Sequence, residues 1–191
     1  QISQFDQPFC EEGTLTIETE TGAQRDVQLE RIHLEEDTAR LIHRSDSEGS
    51  YSLLDLNRAG SPLMELVTKP DIRSAGEAAS FLKRLRQMAR YLGISDANME
   101  KGQLRCDANI SVRPKGVTEL GTKVEIKNMN SFRSVQKAID YEISRQISQI
   151  RAGERIIQET RGFIDSTGET ISQRSKEGAS DYRYFPEPDL P

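Results

Sequence analysis

The sequence predicts an α+β fold, in which a mostly antiparallel sheet carries its helices on one side. Short runs that alternate apolar and polar residues come in pairs separated by turn residues, which is typical of antiparallel hairpins. Two longer runs place apolar residues three and four positions apart, which is typical of amphipathic helices. Strand pairs interrupted by two helices favour α+β over an alternating α/β arrangement.

Four strands are predicted in the first 70 residues. Residues 14–20 and 26–34 flank a Thr-Gly turn, and residues 51–56 and 63–67 flank a turn-rich connection. Residues 44–50 are polar throughout, so we expect a mobile loop there.

Both predicted helices have clear ends. Ser74 and Glu77 form a capping box that begins the first helix, and Gly93 ends it. The second helix runs from Phe132 to Gly153. One face of the first helix is cationic, which indicates either simple solvation or contact with RNA or a partner: Lys83, Arg84, Arg86 and Arg90.

Residues 104–113 and 123–127 form the strand pair in which we expect the chemistry. A further hairpin is expected at residues 156–164 and 170–174. Alternation divides the first strand into two faces. The apolar face carries Leu104, Cys106, Ala108, Ile110 and Val112, and the polar face carries Arg105, Asp107, Asn109, Ser111 and Arg113.

Acidic residues on separate strands suggest a magnesium site, because this ion prefers oxygen ligands and is bridged to substrate phosphates. The candidates are Glu36 (with its neighbours Glu35 and Asp37), Glu65, Asp107 and Glu125. Glu65 stands in an apolar run, so its carboxylate must face water at an edge or bind a partner. The alternative to a metal site is that these acids only face solvent on the sheet.

The cations near these acids have two possible roles. Lys127 and Arg105 could bind phosphate, or they could form ion pairs with Glu125 or Asp107 across the strands. For His33, a structural role with satisfied hydrogen bonds is favoured over a ligand role.

Several function classes are disfavoured. The chain has no Walker or Rossmann glycine motif and no serine nucleophile elbow. Its net charge of -5 argues against a broad basic surface for nucleic acid. The two cysteines suggest neither a disulfide framework nor a zinc site. No apolar run reaches the length of a membrane span, so we expect no membrane contact and a location in the bacterial cytoplasm or an organelle matrix.

Five long motifs resemble those of one family, the B subunits of aspartyl/glutamyl-tRNA amidotransferases and their archaeal glutamate-specific relatives. The resemblance extends over essentially the whole chain. The motifs are residues 51–65, the Leu-Arg-Cys-Asp-Ala-Asn-Ile-Ser run at 104–111, Lys-Asn-Met-Asn-Ser-Phe at 127–132, Gln-Glu-Thr-Arg at 158–161, and residues 181–190.

The resemblance implies an ATP- and Mg²⁺-dependent activation of the side-chain carboxylate of Glu-tRNA(Gln) or Asp-tRNA(Asn). Ammonia would come from the glutaminase (A) subunit of a heterotrimer that also contains a small (C) subunit. It also implies a cradle similar to glutamine synthetase. Metal binding is then expected at Glu36 and Glu65, catalysis at Asp107, Glu125 and Lys127, and nucleotide contacts at Arg105 and Asn109.

The same resemblance sets the expected domain limits. Residues 1–185 would form the catalytic cradle without its N-terminal strand, and residues 186–191 would begin a linker to helical domains. The alternative function is a scaffold module that binds tRNA and other subunits without catalysis of its own.

Overall fold

The computed structural model describes residues 3–47 and 49–175, with side chains described up to residue 173. The predicted linker at 186–191 and the aromatic motif at 181–190 lie outside the described residues. In chain order the elements are β1 (Cys10–Glu11), β2 (Thr14–Glu18), β3 (Gln24–Glu36), β4 (Arg40–Asp46), β5 (Gly49–Asp55), β6 (Pro62–Thr68), α1 (Ala75–Tyr91), β7 (Ala108–Ile110), β8 (Val124–Lys127), α2 (Phe132–Arg151), β9 (Glu159–Ile164) and β10 (Glu169–Ser175).

The α+β class is confirmed, and the described residues fall into two compact units. The first contains residues 3–15 and 26–71, and the second contains residues 16–25 and 72–175. The pairs β1–β3, β3–β6, β4–β5, β7–β8 and β9–β10 are antiparallel, and β8 and β9 run parallel. The strands form three separate sheets within the described part of the chain, rather than the single sheet predicted.

In the first unit, the long strand β3 pairs antiparallel with both β1 and β6. The β3–β6 register sets His33 opposite Glu65 and Glu36 opposite Pro62. Strand β2 completes this four-stranded sheet.

The prediction of a polar loop at residues 44–50 is wrong. Strands β4 and β5 form a separate two-stranded hairpin, in which Arg44 pairs with Tyr51 and Ser45 with Ser50. The hydroxyl groups of Ser45 and Ser50 lie 3.0 Å apart across the strands. Both faces of the hairpin are largely exposed, so residues 44–50 carry no apolar alternation that could indicate a strand, whereas the strand predicted at residues 51–56 matches most of β5.

The second unit contains a four-stranded sheet with the order β10–β9–β8–β7. Residues 104–113 form a shorter strand than predicted, because only Ala108–Ile110 pair with β8. The predicted alternation still continues beyond the pairs: Leu104 and Cys106 are less exposed than Arg105 and Asp107.

Both predicted helices are confirmed. The side chain of Ser74 accepts a hydrogen bond from the Glu77 backbone N–H at 3.1 Å and caps α1. Ser131 caps α2 in the same way. Gly93 and Gly153 follow the helix ends with φ values of +69° and +81°, a left-handed conformation that favours glycine. No helix in the described ranges is long and apolar enough to cross a membrane.

Helix α2 packs against the sheet of the second unit, and α1 packs on α2. Apolar residues from all three layers build this core, because each element buries one apolar face. The buried set includes Phe81 and Leu82 of α1, Val135, Ala138 and Ile139 of α2, and Ile110, Val124, Ile126 and Phe163 of the sheet.

A buried ionic network lies between α2 and this sheet, centred on the fully buried Glu142. Arg145 donates to both oxygens of Glu142, at 2.6 and 2.9 Å, and the Gln146 amide donates to Oε1 at 2.9 Å. The Thr170 hydroxyl donates to Oε2 at 3.2 Å, and Arg161 Nε lies 3.6 Å from the same oxygen. The network therefore joins the helix to two strands.

Arg161 extends this network to Glu159, whose carboxylate accepts a hydrogen bond from Nη1 at 2.7 Å. Burial acts to raise the pKa of Glu159, but hydrogen bonds from Ser172 and Arg161 and the charges of Arg161 and Arg145 outweigh burial. The pKa of Glu159 is therefore held below its ordinary value, and its carboxylate is stabilised in the ionised form.

We expect Glu142→Ala to lower the free energy of unfolding by about 3–5 kcal/mol, because it leaves buried cations without their acceptor. Urea unfolding of the two proteins measures this difference. Glu154→Ala removes an exposed glutamate and should change stability little. Equal losses in the two variants would contradict a structural role for the network.

We also expect Cys106 to resist alkylation. Burial, with a smaller effect of the Asp107 carboxylate, raises the pKa of the Cys106 thiol to about 12. At pH 8 its thiolate fraction is then on the order of 10³-fold below that of an ordinary cysteine. Iodoacetamide labelling of the Cys10→Ser variant, which lacks the exposed cysteine, should be slow until the chain unfolds. Rapid labelling of that folded variant would contradict the prediction.

Candidate functional site

The second unit gathers four of the predicted site residues on one exposed face of its sheet. Asn109 of β7 lies opposite Glu125 of β8, so their side chains share a face. Alternation places Lys127 on the same face of β8, and Asp107 precedes β7 within reach of it. The opposite face carries the buried residues that contact α2.

Lys127 connects the two acids of this face. Its ammonium nitrogen lies 2.8 Å from Asp107 Oδ2 and 3.6 Å from Glu125 Oε1. The cross-strand ion pair considered for Lys127 is therefore present. The Lys127 side chain is 32% exposed, so part of it is in contact with solvent.

The remaining predicted residue of this unit, Arg105, is exposed and lies two positions before Asp107. No ion pair joins it to another residue within the described ranges, in contrast to Lys127. Such a guanidinium is available to an anionic ligand. We therefore retain the prediction that Arg105 and Asn109 contact a nucleotide.

Strand β9 adds residues that were not predicted as part of the site. The Thr160 hydroxyl donates a hydrogen bond to Glu125 Oε2 at 2.8 Å, and the strand register sets the two residues opposite each other. Gly162 lies on the same face of β9, where a Cβ atom would overlap the Gln173 amide group. The Gln-Glu-Thr-Arg motif was the sequence feature that could have identified Thr160 as a candidate. The sequence does not indicate, however, that Thr160 pairs with Glu125.

The first unit contains a separate group of possible metal ligands. His33, Glu35 and Glu65 each offer one ligand atom, and these atoms lie within 4.8 Å of one another. The strand register explains the group, because His33 pairs with Glu65 and alternation puts Glu35 on the face of His33.

Glu65 is thus grouped with Glu35 rather than with Glu36. Glu36 is the last residue of β3 and lies opposite Pro62, with its side chain on the other face of the strand. It is not one of the three residues whose ligand atoms converge. The role of Glu36 as a metal ligand remains a prediction.

His33 differs from the satisfied structural histidine that the sequence favours. It is 1% exposed, and its Nδ1 has no hydrogen-bond partner among the residues described. Its Nε2 lies 3.6 Å from a carboxylate oxygen of Glu35, and the ring packs edge-on against Phe5. The His-x-Glu spacing was the sequence feature that places His33 and Glu35 on the same face of a strand.

This donor set fits a divalent cation. Two carboxylates supply the hard oxygen ligands that magnesium prefers, and the buried imidazole nitrogen suits manganese or zinc as well. The ring nitrogen beside the carboxylates is Nε2, which lies 3.6 Å from a carboxylate oxygen of Glu35, so this nitrogen is the possible ligand atom of His33.

Comparison with known proteins agrees with the motifs. The chain is 57% identical over 190 residues to the B subunit of an aspartyl/glutamyl-tRNA(Asn/Gln) amidotransferase from Persephonella marina. It is 60% identical over 190 residues to the protein of the same name from Thermodesulfovibrio yellowstonii, and 58% identical over 192 residues to that from Dehalococcoides mccartyi.

Each of these three alignments covers 100% of the chain and 39% of the relative, so the chain spans about two-fifths of their length. Residues 1–191 also match the family described as the GatB/GatE catalytic domain. With its whole length matched, the chain belongs to the GatB/GatE catalytic domain family.

Proposed function

We propose that the enzyme containing this chain uses ATP to activate the side-chain carboxylate of Glu-tRNA(Gln) or Asp-tRNA(Asn) for amidation. The relatives are named as B subunits of aspartyl/glutamyl-tRNA(Asn/Gln) amidotransferases, and these names support the reaction and the substrates. The observation that carries the proposal is the placement of Lys127 between Asp107 and Glu125 on an exposed sheet face.

The reaction needs activation because a carboxylate is a poor electrophile. Its oxygen attacks the γ-phosphorus of ATP, the bond to the bridging oxygen breaks, and ADP leaves with that electron pair. Ammonia then attacks the acyl carbon, inorganic phosphate leaves, and the nitrogen loses a proton to give the amide. Each step develops negative charge on oxygen atoms, so a positioned cation accelerates it.

In this proposal Lys127 contacts the phosphoryl group that is transferred. Asp107 and Glu125 hold its ammonium through ion pairs, and they line the space in which the substrate carboxylate reacts. Arg105 and Asn109 contact the nucleotide from the same sheet face.

The metal ligands belong to the first unit. Glu65, together with His33 and Glu35, would hold a magnesium ion, and Glu36 remains a further candidate. When bound, this ion would act as a Lewis acid and withdraw charge from a phosphate oxygen that coordinates it.

The family supports a proposal for the partners and for the cradle shape. The naming of the relatives as B subunits implies further subunits. We propose that these are a glutaminase (A) subunit, which supplies ammonia, and a small (C) subunit, with mischarged tRNA as the substrate. We further propose that the chain forms a cradle of the glutamine synthetase type. A closed route for ammonia is chemically reasonable, because water would hydrolyse the acyl phosphate.

Glu125→Gln tests the function. In the complete enzyme, we expect it to lower ATP-dependent amidation of Glu-tRNA(Gln) or Asp-tRNA(Asn) by about 10²-fold or more, because the charge that holds Lys127 is lost. Ammonium chloride should replace glutamine in this assay, so that glutaminase activity does not limit the rate. ADP release and amidated tRNA are both measured.

Glu119→Gln is the matched control, since it removes a carboxylate from an exposed position outside the site. It should retain the wild-type rate. If Glu125→Gln also keeps the full rate of amidation and ATP use, the catalytic assignment is wrong, and the scaffold alternative is favoured for this face.

Glu65→Gln tests the metal group by binding rather than by activity. We expect its affinity for Mg²⁺ or Mn²⁺ to fall by at least roughly tenfold, because one of the converging ligands loses its charge. Isothermal titration calorimetry measures the affinity directly. Glu30→Gln removes an exposed carboxylate of the same strand as His33 and should leave it unchanged. Equal affinities in both variants would contradict the site.

A further inference from the structure

We infer that Thr160 is a positioning residue, which fixes the orientation of the Glu125 carboxylate in the site of the second unit. This inference rests on the proposed function, because it assigns a role through Glu125. It concerns a residue of the Gln-Glu-Thr-Arg motif at residues 158–161.

The first argument is the contact itself. Thr160 is only 2% exposed, and its hydroxyl donates to Glu125 Oε2 at 2.8 Å. The other oxygen of Glu125, Oε1, lies towards Lys127 at 3.6 Å. With each oxygen held by a different group, rotation of the carboxylate about its terminal bond is restricted.

The second argument is the geometry around Lys127. Its ammonium is closer to Asp107, at 2.8 Å, than to Glu125 at 3.6 Å. The lysine therefore holds Asp107 at hydrogen-bond distance and Glu125 only at ion-pair distance. A short, directional hydrogen bond from Thr160 supplies the orientation that the longer ion pair does not.

The third argument is that contacts of its neighbours restrain strand β9 at Thr160. Its neighbours Glu159 and Arg161 point to the other face of β9, where Arg161 lies 3.6 Å from the buried Glu142. Arg161 also donates to the hydroxyl and the carbonyl oxygen of Thr170, at 2.8 and 2.7 Å. These contacts on both sides of Thr160 restrain the strand, so its hydroxyl is presented from a rigid position.

A structural role alone would not require a hydroxyl group here. Valine has nearly the same shape as threonine and is well suited to a buried strand position. Thr160→Val should therefore preserve the fold while it removes the hydrogen bond to Glu125, and Thr160→Ser should restore that bond.

The test measures kcat and the KM for ATP in the complete enzyme, with ammonium chloride as the nitrogen source. We expect Thr160→Val to lower kcat by at least about tenfold, towards the ~100-fold that a misplacement of about 1 Å costs. The KM for ATP should stay within about twofold of the wild-type value. Thr160→Ser should recover most of the lost kcat.

Ser134→Ala is the matched control. Ser134 is also a buried residue whose hydroxyl donates to a carboxylate, that of Asp165 at 2.7 Å, but neither residue belongs to the site or to the Glu142 network. We expect Ser134→Ala to lower the free energy of unfolding and to leave kcat unchanged.

The double variant Thr160→Val/Glu125→Gln separates the two proposals. If Thr160 acts through Glu125, the double variant has the same kcat as Glu125→Gln alone. A wild-type kcat for Thr160→Val beside an impaired Glu125→Gln overturns the positioning role and leaves the proposed function intact. A wild-type kcat for Glu125→Gln overturns both. A further loss of about tenfold in the double variant would also overturn the action through Glu125.

Discussion

The second unit depends on one buried charge, the carboxylate of Glu142. Its position in the middle of α2 would be strongly destabilising without partners, because an ion loses its hydration on burial. Arg145, Gln146, Thr170 and Arg161 supply these partners from the helix and from two strands. Gln146 also donates to the backbone carbonyl of Ile110, so the same cluster contacts strand β7. Helix and sheet are therefore joined by directional contacts as well as by apolar packing.

This arrangement gives the two faces of the sheet different roles. The face towards α2 carries apolar residues and the Glu142 network. Its contacts with the helix hold the strands in place. The opposite face carries Asp107, Glu125 and Lys127 near solvent, where a charged substrate can reach them. Strand β9 serves both faces, because Thr160 points to the polar face while Arg161 points to the buried network. The parallel β8–β9 pairing brings Thr160 opposite Glu125.

The first unit offers a different chemistry, in which possible cation ligands come from two neighbouring strands. His33 and Glu35 lie on β3 and Glu65 lies on β6, so the antiparallel register sets the spacing of the ligand atoms. A rigid strand pair is a good support for such a group, since none of the three possible ligands depends on a loop. The buried position of His33 adds a nitrogen donor to what the sequence suggested as a set of carboxylates.

The sequence alone determined the elements with strong local signals. Capping at Ser74 and helical spacing identified both helices, and alternation identified the faces of residues 104–110 and the acids on them. Tertiary structure decided what depends on pairing between distant residues. The β3–β6 register places Glu65 on the strand face of Glu35 rather than on that of Glu36. The β8–β9 register places Thr160 opposite Glu125. Local periodicity shows which face a side chain occupies, but only the pairing of strands decides which side chain lies opposite it.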